Sequence, residues 1–195
     1  MAEKEDFILE SIVKMGESHS EEVKQGMDAL IGNFMKGMMP KDALGIGDKN
    51  TEALYADAYH LYNIGQYDES KKIFVTLCML DPLDARFPFG IAASCHMMED
   101  YERAAQWYFK TSLFDADNPI PHYHASDCHL RLNDPVSALA SLRITVDRCG
   151  NNTAYQIIKE RAEMTINNLL SMNMEENKTT ESLKSDQGPQ LNKTK

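Results

Sequence analysis

The stretch TEALYADAYHLYNIGQYDESKKIFVTLCMLDP, residues 51–82, decides how this chain folds. Apolar residues in its first half recur at steps of four and three, which is the spacing of one helix face. Gly65 interrupts this pattern, and a second helical run ends at Pro82. Ala58 in the first run and Ser70 in the second run are small, so the two helices can approach closely. The stretch therefore predicts a helical hairpin.

The same hairpin pattern recurs along the chain at an interval of 34 residues. Four positions of the hairpin align at that interval. They are a small residue in the first helix (Ala58, Ala92, Ser126), the turn (Gly65, Glu99, Asn133), a small residue in the second helix (Ser70, Ala104, Ala138) and a bulky residue in the second helix (Phe74, Tyr108, Leu142). This period is typical of tetratricopeptide repeats. We predict an all-α tetratricopeptide-repeat superhelix of three repeats, 51–84, 85–118 and 119–152.

The segments on either side of the repeats predict helices and a tail. Residues 153–171 carry one apolar face and are expected to form a capping helix, followed by a disordered polar tail, 172–195. Residues 1–50 are expected to form an amphipathic helical arm and a linker. The arm's apolar stripe either caps the first repeat or mediates self-association. We predict homodimerisation through Met27, Leu30, Ile31, Phe34, Met35 and Met38.

The composition excludes several classes of protein. A hydrophobic content of 43% supports a packed core, and a net charge of −10 argues against binding to nucleic acid. We expect no membrane insertion, because no apolar run reaches the length of roughly 18 residues that a spanning helix needs. The acidic N-terminus does not look like a secretory signal, and the four cysteines form no CxxC pair. A cytoplasmic protein is expected.

The first helices of the repeats carry positions that packing leaves free, and these positions predict a peptide-binding groove. The aligned rows are Tyr55, Phe89 and Tyr123; Tyr59, Ala93 and Asp127; Tyr62, His96 and Leu130; and Glu52, Arg86 and Ile120. Aromatic rings with a few polar groups suit an extended or short helical segment that offers hydrophobic anchors. The alternative is that some of these rings are half-buried between helices. We assign to the groove Tyr55, Tyr59, Tyr62, Tyr67, Arg86, Phe89, Ala93, His96, Tyr123 and Asp127.

Other site chemistries find little support in these residues. A clamp for a C-terminal carboxylate needs Lys, Asn and Arg, whereas the matching positions are Tyr55, Tyr59, Gly90, Ile120 and His124. The residues that could bind zinc are spread over different faces of two repeats: Cys95, His96, His122, His124, Cys128 and His129. Neither a nucleophile motif nor a phosphate-binding loop is present. We expect no metal, no cofactor and no enzymatic activity.

The repeats also resemble a known family, over roughly residues 45–150. The similarity is densest in LYADAYHLYNIGQYDESKKIFVTLCMLDPLDARFPFGIAASCHMMEDYERAAQWY and in the PHYHASDC segment of the third repeat. The pieces LCMLD and DARF, which begin at Leu77 and Asp84, are unusual in generic repeats. These residues are similar to those of the class II type III secretion chaperones, the SycD/LcrH type.

This resemblance implies a function. Such chaperones hold hydrophobic translocator proteins in the cytoplasm of a Gram-negative bacterium, near the secretion apparatus, and keep them soluble before export. It further implies that the groove binds an N-terminal segment of the translocator and that the N-terminal helices form a homodimer. The alternative is a generic tetratricopeptide-repeat scaffold that assembles or regulates other proteins through the same groove.

Overall fold

The structure is a computed structural model that describes residues 28, 31, 32 and 35–185, the last fourteen of them by backbone alone. In this part of the chain every regular element is helical. The elements are α1 (Pro40–Ala43), α2 (Asp48–Asn63), α3 (Tyr67–Leu80), α4 (Arg86–Met97), α5 (Tyr101–Phe114), α6 (Ile120–Arg131), α7 (Pro135–Cys149), a short 3-10 turn (Thr153–Tyr155) and α8 (Gln156–Ser185). The predicted all-α class is confirmed.

The helices form three successive hairpins, α2–α3, α4–α5 and α6–α7. Each of these helices packs mainly against the helix before it and the helix after it in sequence, and α8 packs on α7. The short α1 packs on α3, where the Lys41 ammonium lies 2.8 Å from Asp81 Oδ2. This is the repeat superhelix with a final capping helix that the 34-residue period predicted.

Small residues at the repeating positions let the helices pack closely. Ala58, Ala92 and Ala104 are fully buried. The hydroxyl of Ser70 donates to the carbonyl oxygen of Ala58 at 2.8 Å, and that of Ser126 donates to a carbonyl of its own helix. A serine can therefore replace alanine at these positions, because its polar atom finds a partner inside the core.

The turn inside each hairpin has the same backbone geometry. Gly65, Glu99 and Asn133 occupy one aligned position, with φ of +82°, +62° and +56°. The next helix begins two residues later, and the carboxylates of Asp100 and Asp134 accept backbone N–H groups at the starts of α5 and α7. A left-handed residue followed by an N-cap therefore reverses the chain inside the later repeats.

The C-terminal end of the superhelix differs from the sequence expectation. Disorder was predicted from residue 172, whereas the backbone stays helical through Ser185. Residues 172–185 are rich in helix-forming Met, Glu and Lys and contain neither Pro nor Gly, so nothing ends the helix there. The rest of the predicted tail, 186–195, lies outside the described residues. At the other end, α2 exposes Asp57 where α4 buries the equivalent Ile91.

Candidate functional site

Arg86 links the first helices of repeats one and two. Its guanidinium donates to Glu52 at 2.6 and 3.2 Å, and to Asp84 at 2.6 Å. It also lies over the ring of Tyr55, 4.9 Å from the centroid. Glu52 and Arg86 stand 34 residues apart, so this contact joins two members of one predicted row. Arg86 is thus held by partners on both sides, Glu52 of α2 and Asp84 just before α4.

The two tyrosines of α2 differ in what they contact. Tyr55 is half-buried, and its ring lies 5.9 Å from that of Phe74 and 6.1 Å from that of Phe87. Tyr59 stacks on Tyr55 at 6.4 Å and is 55% exposed. Tyr55 is therefore packed against the core, whereas the ring of Tyr59 is largely exposed.

Tyr62 and Tyr67 lie on either side of the first turn and contact each other. Their rings meet edge to face at 5.4 Å, and both are half-buried. Burial, with the nearby phenols of Tyr67 and Tyr59, raises the pKa of Tyr62 above its usual value. Tyr62 therefore keeps its proton at neutral pH and can donate a hydrogen bond.

The middle of the predicted groove contains a cluster of rings from three helices. Phe89 of α4 lies 5.5 Å from Tyr108 and 5.9 Å from His124, while Tyr123 lies 5.9 Å from His124. His124 stacks on Tyr108 with centroids 5.3 Å apart. Burial and the neighbouring imidazole of His96 lower the pKa of His124, which favours the neutral ring.

Two members of this cluster were not assigned to the groove from sequence. Tyr108 was placed in the repeat core, and the structure does bury it, but it also supports the rings of Phe89 and His124. His124 was considered only as a possible metal or clamp residue. Adjacent side chains of a helix point about 100° apart, so its place directly after Tyr123 in α6 gave no signal for this contact.

His96 and Asp127 form a polar bridge between α4 and α6. The Nε2 atom of His96 lies 2.9 Å from Oδ2 of Asp127, and Arg131 Nε lies 3.8 Å from the same oxygen. On the other side of the ring, Nδ1 lies 3.5 Å from the Tyr108 hydroxyl and 3.7 Å from Cys128 Sγ. Ala93, in the same row as Asp127, is half-buried. The predicted second and third rows therefore meet in this bridge.

The histidines and cysteines do not come together as a metal site in the described part of the chain, where no three potential ligands are suitably grouped. Burial raises the pKa of the Cys128 thiol to about 12, and burial together with Arg148 lowers the pKa of His122 to about 4. Cys128 is therefore a thiol at neutral pH in this environment.

The predicted dimerisation residues are described only in part. Met27, Leu30 and Phe34 lie outside the described residues. Ile31 is half-buried, whereas Met35 and Met38 are 67% and 45% exposed. These two methionines leave apolar surface available next to α1. Within the described residues, no helix has both the length and the hydrophobicity needed to cross a membrane.

Comparison with known proteins places this geometry in a family. No protein-family model matches the sequence. The chain is similar to PcrH of Pseudomonas aeruginosa, in a crystal structure of PcrH with the chaperone-binding region of PopD. The two share 31% identity and a TM-score of 0.63, over 66% of this chain and 97% of PcrH. This chain belongs to the class II type III secretion chaperones.

Two further relatives support this assignment to the family. SycD of Yersinia enterocolitica, in complex with a peptide of the translocator YopD, shares 26% identity and a TM-score of 0.63, over 66% of this chain and 98% of that one. Low calcium response locus protein H of Yersinia pestis is 28% identical over 116 residues, which is 60% of this chain and 69% of the relative. The resemblance noted in the sequence to the SycD/LcrH chaperones is confirmed.

Proposed function

We propose that this chain is a type III secretion chaperone that holds an N-terminal segment of a hydrophobic translocator protein in its groove. The observation that carries the proposal is the set of rings that α2, α4 and α6 present, with Tyr59 the most exposed of them. PcrH with regions of PopD and PopB, and SycD with a YopD peptide, support it as relatives of the same family.

The mechanism is the masking of apolar anchors. Each apolar side chain that the groove covers contributes about 1.5–3 kcal/mol of burial free energy, part of which offsets the entropy lost on association. Anchors held in this way no longer drive aggregation of the translocator. The net charge of −10 favours solubility of the complex.

Several further features belong to the same proposal. The described half of the arm's stripe, with Met35 and Met38 exposed, supports a homodimer formed through the N-terminal helices. We place the chaperone in the cytoplasm near the secretion apparatus, acting without a cofactor, a metal or catalysis. The working division of the chain is an arm (1–50), three repeats (51–152) and a capping helix that continues through Ser185, after which the tail comprises residues 186–195.

Substitution of Tyr59 tests the groove. Tyr59→Ala is compared with Phe109→Ala on α5, since Phe109 is 57% exposed and Tyr59 is 55% exposed. The probe is a synthetic peptide of the chaperone-binding region of PopD, and its dissociation constant is measured by calorimetry. We expect Tyr59→Ala to weaken binding by about ten- to a hundredfold and Phe109→Ala by less than about twofold. Adding Tyr55→Ala deepens the loss, but melting curves must accompany it because Tyr55 packs on Phe74.

Two outcomes would contradict the assignment. Equal losses for Tyr59→Ala and Phe109→Ala would show that the groove is not the binding surface. A wild-type chain that binds neither the PopD nor the PopB nor the YopD segment would favour the generic repeat scaffold.

A further inference from the structure

Asp127 differs from the other groove residues because it is an accessible carboxylate among rings. Its side chain is 45% exposed, and both of its contacts described above, to His96 and to Arg131, use Oδ2. Glu52 is the other carboxylate of the predicted rows, and both of its oxygens accept hydrogen bonds from Arg86. Neither of the Asp127 contacts uses Oδ1, so this oxygen can accept a hydrogen bond from a bound segment.

The position of this carboxylate is fixed by contacts that reach the core. His96 Nε2 lies 2.9 Å from Oδ2, and its Nδ1 faces the Tyr108 hydroxyl. Tyr108 is 2% exposed and is held between Phe89 and His124. Burial raises the pKa of Tyr108, so the phenol keeps its proton and can donate to Nδ1 of His96 at 3.5 Å. Little entropy remains to be lost at Asp127 when a partner binds.

A groove made of repeats needs such a group to define the register of its ligand. The row Tyr55, Phe89 and Tyr123 offers a ring at the same position of each repeat. A segment with evenly spaced apolar anchors gains similar burial energy if it shifts by one anchor. One polar group in an otherwise apolar interface removes this ambiguity, as a single buried Asn does in a coiled coil, because the wrong register leaves that group unpaired.

We propose that Asp127 is a specificity-determining residue, whose Oδ1 accepts a hydrogen bond from one defined N–H or O–H donor of the bound segment and so fixes the segment's register. This inference rests on the proposed function, since it assigns a role within the same groove. The donor is either a backbone amide or a polar side chain. Asp or Glu is disfavoured at that position of the segment by charge repulsion.

Double-mutant cycles on the full chain test the proposal. The probe is the PopD chaperone-binding region, made as two series of peptides: N-methylation of successive backbone amides, and Ala replacement of successive side chains. Each peptide is titrated against wild type, Asp127→Leu and the control Asp147→Leu, an exposed carboxylate on the second helix of the same repeat. We expect one peptide modification to weaken binding to wild type and to Asp147→Leu about tenfold, which is the equivalent of one charged hydrogen bond. The same modification should weaken binding to Asp127→Leu less than about twofold.

If the sensitive modification is an N-methylation, the donor is a backbone amide; if it is an Ala replacement, the donor is a side chain. His96→Gln keeps the carboxylate and an N–H beside it, so coupling should persist in that variant. If Asp127→Leu melts well below wild type, Asp127→Ala replaces it in the cycle. Equal losses at every position in wild type and in the Asp127 variant would overturn the role of Asp127 while leaving the groove intact. Failure of the wild type to bind would contradict the proposed function, and the inference with it.

Discussion

Gly90→Ala should destabilise this chaperone, although alanine normally stabilises a helix. Gly90 is buried in the middle of α4, and a Cβ atom built on it would lie 2.5 Å from two atoms of the Phe74 ring and 2.6 Å from a third. Contacts between carbon atoms are optimal near 3.5–4.0 Å, so the ring must move by about 1 Å. Phe74 is itself 3% exposed and packs on Tyr55, so little space is available for that movement.

The magnitude follows from two opposing terms. Overpacking a core costs about 1–3 kcal/mol, and a clash with three ring atoms in a confined site belongs in the upper half of that range. Replacing Gly by Ala in a helix interior returns about 1 kcal/mol of propensity. The net expectation is a loss of about 1–2 kcal/mol in the free energy of unfolding, or a Tm lower by roughly 2–8 °C for a chain of this size.

Urea and thermal unfolding followed by circular dichroism measure this loss. Gly32→Ala is the matched control, because Gly32 is also helical but has nothing within 4 Å of the added Cβ; it should be neutral or stabilising. Phe74→Leu should relieve the clash, so the double variant should lose less than the sum of the single losses. A Gly90→Ala chain as stable as wild type would refute the proposed contact between α4 and the Phe74 ring.

Three further predictions concern pH, thiols and assembly. Burial lowers the pKa of His122 to about 4, whereas its value in the unfolded chain is about 6.5. The contribution of His122 to stability should therefore be complete above about pH 6.5 and decrease as the pH falls to about 4. Urea titrations of His122→Gln should show a weaker dependence of stability on pH, and the same dependence as wild type would argue against the assignment. Cys95, Cys128 and Cys149 are buried, so a thiol reagent at pH 8 should modify them only slowly until the chain is unfolded, and rapid modification of all three in the native state would contradict this packing. Deletion of residues 1–38 should convert the dimer into a monomer in light scattering if the arm forms the dimer, and a truncated chain that still has the mass of a dimer rejects that role.

The architecture was predictable because packing imposes a period on the residues. Ala58, Ala92 and Ser126 recur at 34-residue steps since each must fit between two helices, and all three are buried. The end of α8 was harder to predict. Residues 172–185 carry few apolar residues, and that composition was interpreted as disorder, while helix propensity and the absence of a stop signal act independently of hydrophobicity.

The sequence predicted which residues of the candidate site align between repeats, but not which of them contact each other. The overlay placed Glu52 with Arg86, and the structure joins them. It did not foresee that His96 would pair with Asp127, because these residues belong to different rows and meet only through the offset between neighbouring first helices. Tyr108 illustrates a second limit. Tyr108 belongs to the repeat core and also supports rings of the predicted groove. An interpretation that gives each residue a single role misses this second role.

The local packing of this superhelix has a consequence for how the chaperone is made. Each repeat helix contacts mainly its neighbours in sequence, and chains rich in such local contacts fold within microseconds to milliseconds. A ribosome adds about 5–20 residues per second, so a hairpin of this size emerges over several seconds. The first hairpin, with Tyr55 and Tyr59, can therefore close long before the third has been synthesised. Folding can then begin during translation, and each later hairpin supplies the neighbour on which the previous one packs.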